Sequence, residues 1–249
     1  MNNKQTTIGA IVLAAGKGTR MGILGQNKVT LPILGKPMIL YTVELLKSID
    51  VHPIIVVVGH EKQSVIDALN NEDIIFAQQK EQRGTADALA SGISRLPSDV
   101  LTIVVVNGDD SALYEKKLLK ELIEKHINTS ADVTFLTITN QQPFGTGRIV
   151  RDKSGNVSKI VEEKHATSKE KLVSETNAGC YVFSVDFLRD ALLTIKKNPV
   201  SGEYYLVDLI NNAIDENKNV QTLHGGELVW RGVNTKEELD RAEQLLSRI

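Results

Sequence analysis

Leu13-Ala14-Ala15-Gly16-Lys17-Gly18-Thr19-Arg20-Met21 is the segment whose residue types point most directly to chemistry. It follows the apolar run Ile8–Leu13, and open α/β sheets bind ligands beyond the carboxyl ends of their strands. Glycines let backbone approach an anion and turn N–H groups toward it. Lys17 and Arg20 add positive charge, although a flexible loop with solvated cations would carry the same residues. The segment is neither a Gly-x4-Gly-Lys-Ser/Thr loop nor a Gly-x-Gly-x-x-Gly fingerprint, because position 21 is Met. Lys28, in Asn27-Lys28-Val29, follows shortly after. A second cation beside such a loop suits a triphosphate, while a surface Lys needs no such role. Asn107-Gly108-Asp109-Asp110 ends a second apolar run. A carboxylate at such an edge suits Mg²⁺, which takes one or two carboxylates plus substrate phosphates. A plain turn uses the same residues.

Further candidates are weaker alone. Gln79 to Ala86 lies between a strand and a helix pattern. Gly84 and Thr85 fit a helix start, and the Gln79 amide carries the donor and acceptor that reading a base edge needs. Gly145-Thr146-Gly147-Arg148-Ile149, Val161-Glu162-Glu163-Lys164, Asn177-Ala178-Gly179 and Gly232-Val233-Asn234 each read singly as turns beside strands. The five histidines show no metal-ligand spacing and are expected to be structural or exposed. Cys180 sits in an apolar strand and is expected to be buried. Trp230 fits a core or partly buried position, and Tyr204-Tyr205 core or pocket wall. No Gly-x-Ser-x-Gly elbow or His-Glu-x-x-His helix is present.

These residues need elements to hold them. Ile8–Leu13, Ile54–Val58, Ile74–Ala77 and Leu101–Val106 are continuously apolar, as buried parallel strands are. Helical periodicity falls between them at about 38–49, 61–70 and 84–95. That alternation predicts an α/β fold with a doubly wound, mostly parallel, Rossmann-like sheet. The second half predicts a helix at 115–127, a strand at 132–138, and short strands near 147–151, 157–161 and 176–183. Gly179 marks a bulge or close approach in the last of these. Helices are expected at about 185–193 and 203–215. A closing helix starts at Lys236, with Thr235 and Glu238 as a capping box.

The chain has 249 residues with 29 Lys+Arg against 31 Asp+Glu, a formal charge of −2. That balance offers no global attraction to nucleic acid or acidic membranes, so a polyanion site must be a local cluster. One Cys excludes an internal disulfide and a multi-Cys zinc site. No run approaches the ~20 apolar residues that span a membrane. Lys4 before the apolar run imitates a signal peptide, but a single Lys is a poor basic region. The expected location is cytoplasmic, with neither nucleic acid nor membrane as partner.

Taken in order, these segments resemble the sugar-nucleotide pyrophosphorylases (nucleotidyltransferases). The similarity is greatest to the uridylyltransferase domain of bifunctional N-acetylglucosamine-1-phosphate uridylyltransferases, and it runs from Ile8 to about Asn234. The Leu-Ala-Ala-Gly-x-Gly-Thr-Arg-Met loop carries the superfamily. The branch is carried by that loop with Gly-Thr-Gly-Arg-Ile, Ile-Val-Glu-x-Lys, Asn-x-Gly, Gly202-Glu203-Tyr204-Tyr205 and Gly-Val-Asn.

The resemblance implies a nucleotide-diphospho-sugar transferase fold with a β-rich sugar-binding insert. It implies a single domain over 1–249, with a nucleotide-binding half at about 1–115, a sugar-phosphate half at about 116–234 and a terminal helix at 235–249. Leu13, Ala14, Ala15, Gly16 and Gly18 would lie against the nucleotide, with Gly108 beside it and the catalytic cations Arg20 and Lys28 on its phosphates. Gln79, Gly84 and Thr85 would read uracil. Asp109, also counted as catalytic, and Asn234 would hold Mg²⁺. Gly147, Glu162, Lys164 and Asn177 would position the sugar phosphate. The implied reaction joins UTP to N-acetylglucosamine 1-phosphate, giving UDP-N-acetylglucosamine and pyrophosphate.

The chain departs from the family pattern in several places. It has Asn107 before Gly-Asp, Ser111 for a Pro, Thr146 for a sugar-contacting Tyr, and a loop before Lys28 that is one residue longer. These bear on sugar identity more than on the reaction. Three readings stay open beside the first: glucose 1-phosphate with UTP or dTTP, CTP with a phosphorylated alcohol, and a nucleotide-sugar sensor without catalysis. At 249 residues the chain is expected to lack the acetyltransferase repeats of the family it resembles, through which those relatives largely trimerise. The expected state is therefore a monomer or dimer.

Overall fold

The structure is a computed structural model that describes residues 7–18, 21–22, 24–109, 114–141, 143, 145–226 and 232–247. Its centre is β1 (Thr7–Ala14), flanked in parallel by β4 (Ile54–Val58) on one side and β6 (Val100–Asn107) on the other. β5 (Ile75–Gln78) extends the β4 side, also in parallel. Strands buried on both faces gain nothing from polar alternation, and β4 is Ile-Ile-Val-Val-Val with every residue buried.

β10 (Glu175–Ser184) lies beside β6 and runs against it, with Cys180 opposite Val106. β7 (Val133–Thr139) pairs antiparallel with β10, and β11 (Val220–His224) pairs parallel with β7. The order is therefore β11-β7-β10-β6-β1-β4-β5, with β10 the strand of opposite sense. β8 (Arg148–Arg151) and β9 (Val157–Val161) form a side ribbon joined to β10 at Thr176.

Helices cover both faces. α1 (Met38–Lys47), α2 (Lys62–Ala68) and α4 (Lys116–Thr129) pack Val43, Leu46, Val65 and Leu119 against Ala10, Val12 and Val104. α3 (Thr85–Ile93), α5 (Val185–Thr194) and α6 (Leu206–Asp215) pack Leu89, Leu188, Leu209 and Ile210 against Ile11, Ile103 and Phe135. Successive β1 residues thus point to opposite layers, as the two-residue period of a strand requires. Gly92 of α3 is needed for this packing, since a Cβ there would sit 2.8 Å from the Ile11 side chain.

A third, smaller cluster joins α7 (Lys236–Leu246) to the hairpin β2 (Pro32–Ile33) and β3 (Lys36–Pro37), through Leu31, Ile33, Val233 and Ala242. The expected capping box is formed by Thr235 and Glu238. Gly179 takes φ 78° where the β10–β7 register breaks, so the expected bulge is present. Cys180 is fully buried.

Three features differ from expectation. α6 begins at Leu206 rather than 203, because residues 204–206 bind back across the start of α3. β11 is an edge strand whose residues are half-buried or exposed, so it lacks the apolar signature of the central strands. The β2–β3 hairpin has two residues per strand, too short for any periodicity. Trp230, Ser111 and Asp110 lie outside the described residues. Of the histidines, His126 is buried beside Thr134, and burial pushes its pKa down to about 4. No helix among the described residues is long and apolar enough to cross a membrane.

Candidate active site

The carboxyl ends of β1, β4 and β6 lie side by side, with Leu13 opposite Asn107 and Ala14 opposite Val58. Gly108 N–H donates to the Leu13 carbonyl at 3.0 Å, which ties the Asn107-Gly108-Asp109 turn to the end of β1. The predicted glycine loop leaves from the same point.

The residue that holds this loop was not singled out by its sequence. Asn27 is 1% exposed, and its Nδ2 lies within hydrogen-bonding distance of the carbonyls of Ala14 at 3.1 Å, Gly16 at 3.3 Å and His60 at 2.8 Å. Its Oδ1 accepts from Val29 N–H at 3.1 Å, which starts the helical turn carrying Lys28. One amide thus fixes both the loop and the following cation. Gly18 sits at φ 58°, close above the Lys28 stem. A Cβ on Gly16 would meet nothing within 4 Å, so the backbone there opens onto space.

That space is a cleft of about 450 Å³, lined by residues 13–18, Lys28, Gln79, Gln82, Gly84, Thr85 and Asp109 among others. An adjoining cleft of about 510 Å³ is lined by Gly145, Thr146, Gly147, Glu162, Lys164 and Asn177. Leu13, Gly16, Lys28, Thr85, Asn107, Asp109, Tyr205 and Asn234 belong to both. Apart from Gly108, which faces Val29 and Ile39 and lines neither cleft, the predicted nucleotide residues among those described and the predicted sugar residues occupy two lobes of one groove.

Lys28 stands at the junction. Its ammonium pairs with Asp109 and donates to Asn234 Oδ1 at 2.9 Å. Asp109 is 9% exposed at the end of β6. Asn234 is placed by α7, whose Glu238 carboxylate accepts from the backbone N–H groups of Asn234 at 2.6 Å and Thr235 at 3.1 Å. Two oxygen donors, 125 residues apart in sequence, thus converge on one cation. Such a hard donor pair suits Mg²⁺, whose other positions go to water and phosphate. Among the described residues, no group of three or more His, Cys, Asp or Glu is placed to hold a metal alone.

In the first lobe, Gln79 is 3% exposed, and Nε2 donates to the Gly84 carbonyl at 3.1 Å and to Asp87 Oδ2 at 2.8 Å. Gly84 and Thr85 do form the start of α3. Thr85 Oγ1 accepts from Leu206 N–H at 2.8 Å, while Tyr204 exchanges backbone hydrogen bonds with Arg83 and Ala86 at 2.8 and 2.9 Å. Residues 204–206 therefore form a strap across the α3 start and carry Tyr205 into both lobes. Tyr204 packs against the core, so the two tyrosines divide the alternatives between them.

In the second lobe, Gly147, Glu162 and Asn177 meet closely. A Cβ on Gly147 would lie 3.4 Å from Glu162 Oε1 and 3.8 Å from Asn177 Cβ. Burial raises the Glu162 pKa, against the pull of Lys164. The Lys164 ammonium donates to the Tyr205 hydroxyl at 2.9 Å and lies 4.7 Å from that ring's centroid. Asn177 is oriented by bonds to the Tyr181 hydroxyl at 2.7 Å and Gly179 N–H at 3.1 Å. Arg148, 2% exposed, donates from Nη1 to the Thr146 carbonyl, and its Nε meets no partner among the described residues. Arg20, predicted on the phosphates, lies outside the described residues.

The sequence profile of the nucleotidyl transferase family matches residues 9–248. A protein named "Bifunctional protein GlmU" from Clostridioides difficile (strain 630) is 40% identical over 240 residues, covering 96% of this chain and 51% of its own length. Its namesake from Desulfotalea psychrophila (strain LSv54 / DSM 12343) is 35% identical over 244 residues, covering 98% of this chain and 71% of its own length. The chain thus spans about half the length of the first relative. A crystal structure from Bacillus anthracis, provisionally described as a glucose-1-phosphate thymidylyltransferase, superposes with a TM-score of 0.81. The superposition covers 97% of this chain and 96% of that one, and at 22% identity it establishes the shared fold.

Proposed function

The chain belongs to the nucleotidyl transferase family, and on that premise we propose that it joins UTP to N-acetylglucosamine 1-phosphate, giving UDP-N-acetylglucosamine and pyrophosphate with Mg²⁺. The observation that carries this reading is the two-lobed groove whose lobes share Lys28, Asp109 and Asn234.

In this reading the nucleotide lies over the loop 13–18, with its base toward Gln79 and Gly84. The sugar phosphate lies in the lobe of Gly147, Glu162 and Asn177. A phosphomonoester carries about −1.5 to −2 charge near neutrality, so its oxygen needs no general base to become a nucleophile. That oxygen attacks the α-phosphorus in line, and the bond to the departing pyrophosphate breaks. The barrier is the approach of two polyanions, so the protein's contribution is position and neutralising charge. Lys28 supplies a cation at the junction, and the loop supplies backbone N–H groups. Mg²⁺ held by Asp109 and Asn234 would add charge neutralisation on phosphate oxygens. Glu162, with its raised pKa, suits a hydroxyl or amide of a sugar better than a phosphate.

The test is a matrix of four nucleoside triphosphates against N-acetylglucosamine 1-phosphate, glucose 1-phosphate and phosphorylated alcohols, read as pyrophosphate release. The expected maximum is UTP with N-acetylglucosamine 1-phosphate, dependent on Mg²⁺. A maximum at another pair replaces the substrates, and no release with any pair removes the reaction.

A further inference from the structure

The base end of the groove contains a contact whose polarity the sequence leaves open. The two ends of an amide side chain are nearly isosteric, one donating and the other accepting. A pyrimidine ring presents either an N3–H, as in uracil and thymine, or a bare N3 lone pair, as in cytosine. A freely rotating Gln79 would serve both.

Gln79 is not free to rotate. Its Nε2 is bracketed by the Gly84 carbonyl at 3.1 Å and the Asp87 carboxylate at 2.8 Å. Neither of these offers a proton when Asp87 is paired as here, since its other oxygen accepts from Arg83 Nη2 at 2.7 Å. Turning the amide over would bring Oε1 against both acceptors and exchange two hydrogen bonds for two repulsions. Gln79 is 3% exposed, so water has little room to compensate. No donor among the described residues reaches Oε1, on a side chain that lines the nucleotide lobe.

We propose that Asp87 is a positioning residue that sets base choice. By holding the donor end of Gln79, it leaves an acceptor for the base, and the site then takes a pyrimidine bearing N3–H over cytosine. This deepens the uridylyltransferase reading and rests on its placement of the base beside Gln79.

The test is titration calorimetry of UTP and CTP with Mg²⁺ and no sugar phosphate, which measures binding without turnover. The wild-type protein is expected to bind UTP at least about tenfold more tightly than CTP. Asp87→Asn keeps the shape but can face Gln79 with a donor or an acceptor, and it should bring the ratio below about threefold. Asp87→Ala should do the same, as a second variant should the first fail to fold. A merely structural role would weaken both nucleotides alike and leave the ratio unchanged. Equal binding by the wild type, or an undiminished ratio in the variants, overturns the proposal. A ratio that collapses as expected in a protein without pyrophosphate release upholds it while removing the reaction. Binding of neither nucleotide removes both.

Discussion

At the scale of single residues, the groove separates groups that meet substrate from groups that hold those groups. In the proposed reaction Asp109 belongs to the first kind, in the turn after β6 with Lys28 against it. Asp109→Ala is expected to lower Mg²⁺-dependent pyrophosphate release by at least about 100-fold, the scale for losing one preorganised charge contact. The circular dichroism spectrum should be unchanged, because the residue lies in the turn after β6 rather than in a hydrophobic core. An unchanged rate would remove Asp109 from the metal role. Lys28, Asp109 and Asn234 were singled out together only through the family resemblance, because each alone reads as a surface residue or a turn; the structure brings the three into contact. Asn27 and Asp87 were not legible. Asn27 acts by satisfying three carbonyls from two separate segments, and Asp87 by facing an amide from the preceding loop. Such roles depend on which polar groups from other segments come within hydrogen-bonding distance, and no local pattern encodes that.

At the scale of elements, the strap 204–206 joins the two lobes. It closes onto α3 because Gly84 has no side chain: a Cβ there would sit 2.3 Å from the Tyr204 carbonyl oxygen. Gly84 also holds φ 112°, which side-chain-bearing residues rarely adopt. Gly84→Ala should therefore displace the strap rather than relax around it. The expected cost is about 3 kcal/mol or more, combining backbone strain with a backbone clash. For a domain of this size that lowers the melting temperature by roughly 6–12 °C. UTP affinity should fall in the same variant, because Gly84 also accepts from Gln79. A melting temperature within 1–2 °C of wild type would show that the strap is not held by this contact. The central strands and the α1 to α5 helices were readable from periodicity, since burial on both faces or one face writes itself into residue type. The strap, the edge strand β11 and the β2–β3 hairpin were not. Backbone hydrogen bonds hold the first, and the other two are too exposed or too short to show a pattern.

At the scale of the whole molecule, a chain with a formal charge of −2 is proposed to bind two polyanions. The architecture makes this possible by placing Lys17, Lys28 and the backbone of the loop 13–18 at one edge, where parallel strands end together. The net charge alone excluded a broad basic surface, and the sheet topology supplies the place for a local one. The same edge predicts how the metal acts. Asp109 and Asn234 already share the Lys28 ammonium, so removing Mg²⁺ would leave the Asp109 carboxylate still paired. Chelation with EDTA is therefore expected to abolish turnover while moving the melting temperature by no more than about 1–2 °C. Mg²⁺ alone should add equally little, because no group of three or more His, Cys, Asp or Glu among the described residues is placed to hold it. Mg²⁺ with UTP at 100 times its dissociation constant should stabilise by about 2.7 kcal/mol. That corresponds to a rise of roughly 5–11 °C for a domain of this size. Differential scanning fluorimetry of the four conditions distinguishes the cases. A large loss of stability with EDTA would make the metal a structural part of the fold. A rise with UTP equal in the presence and absence of Mg²⁺ would mean that the chain's own cations neutralise the triphosphate unaided.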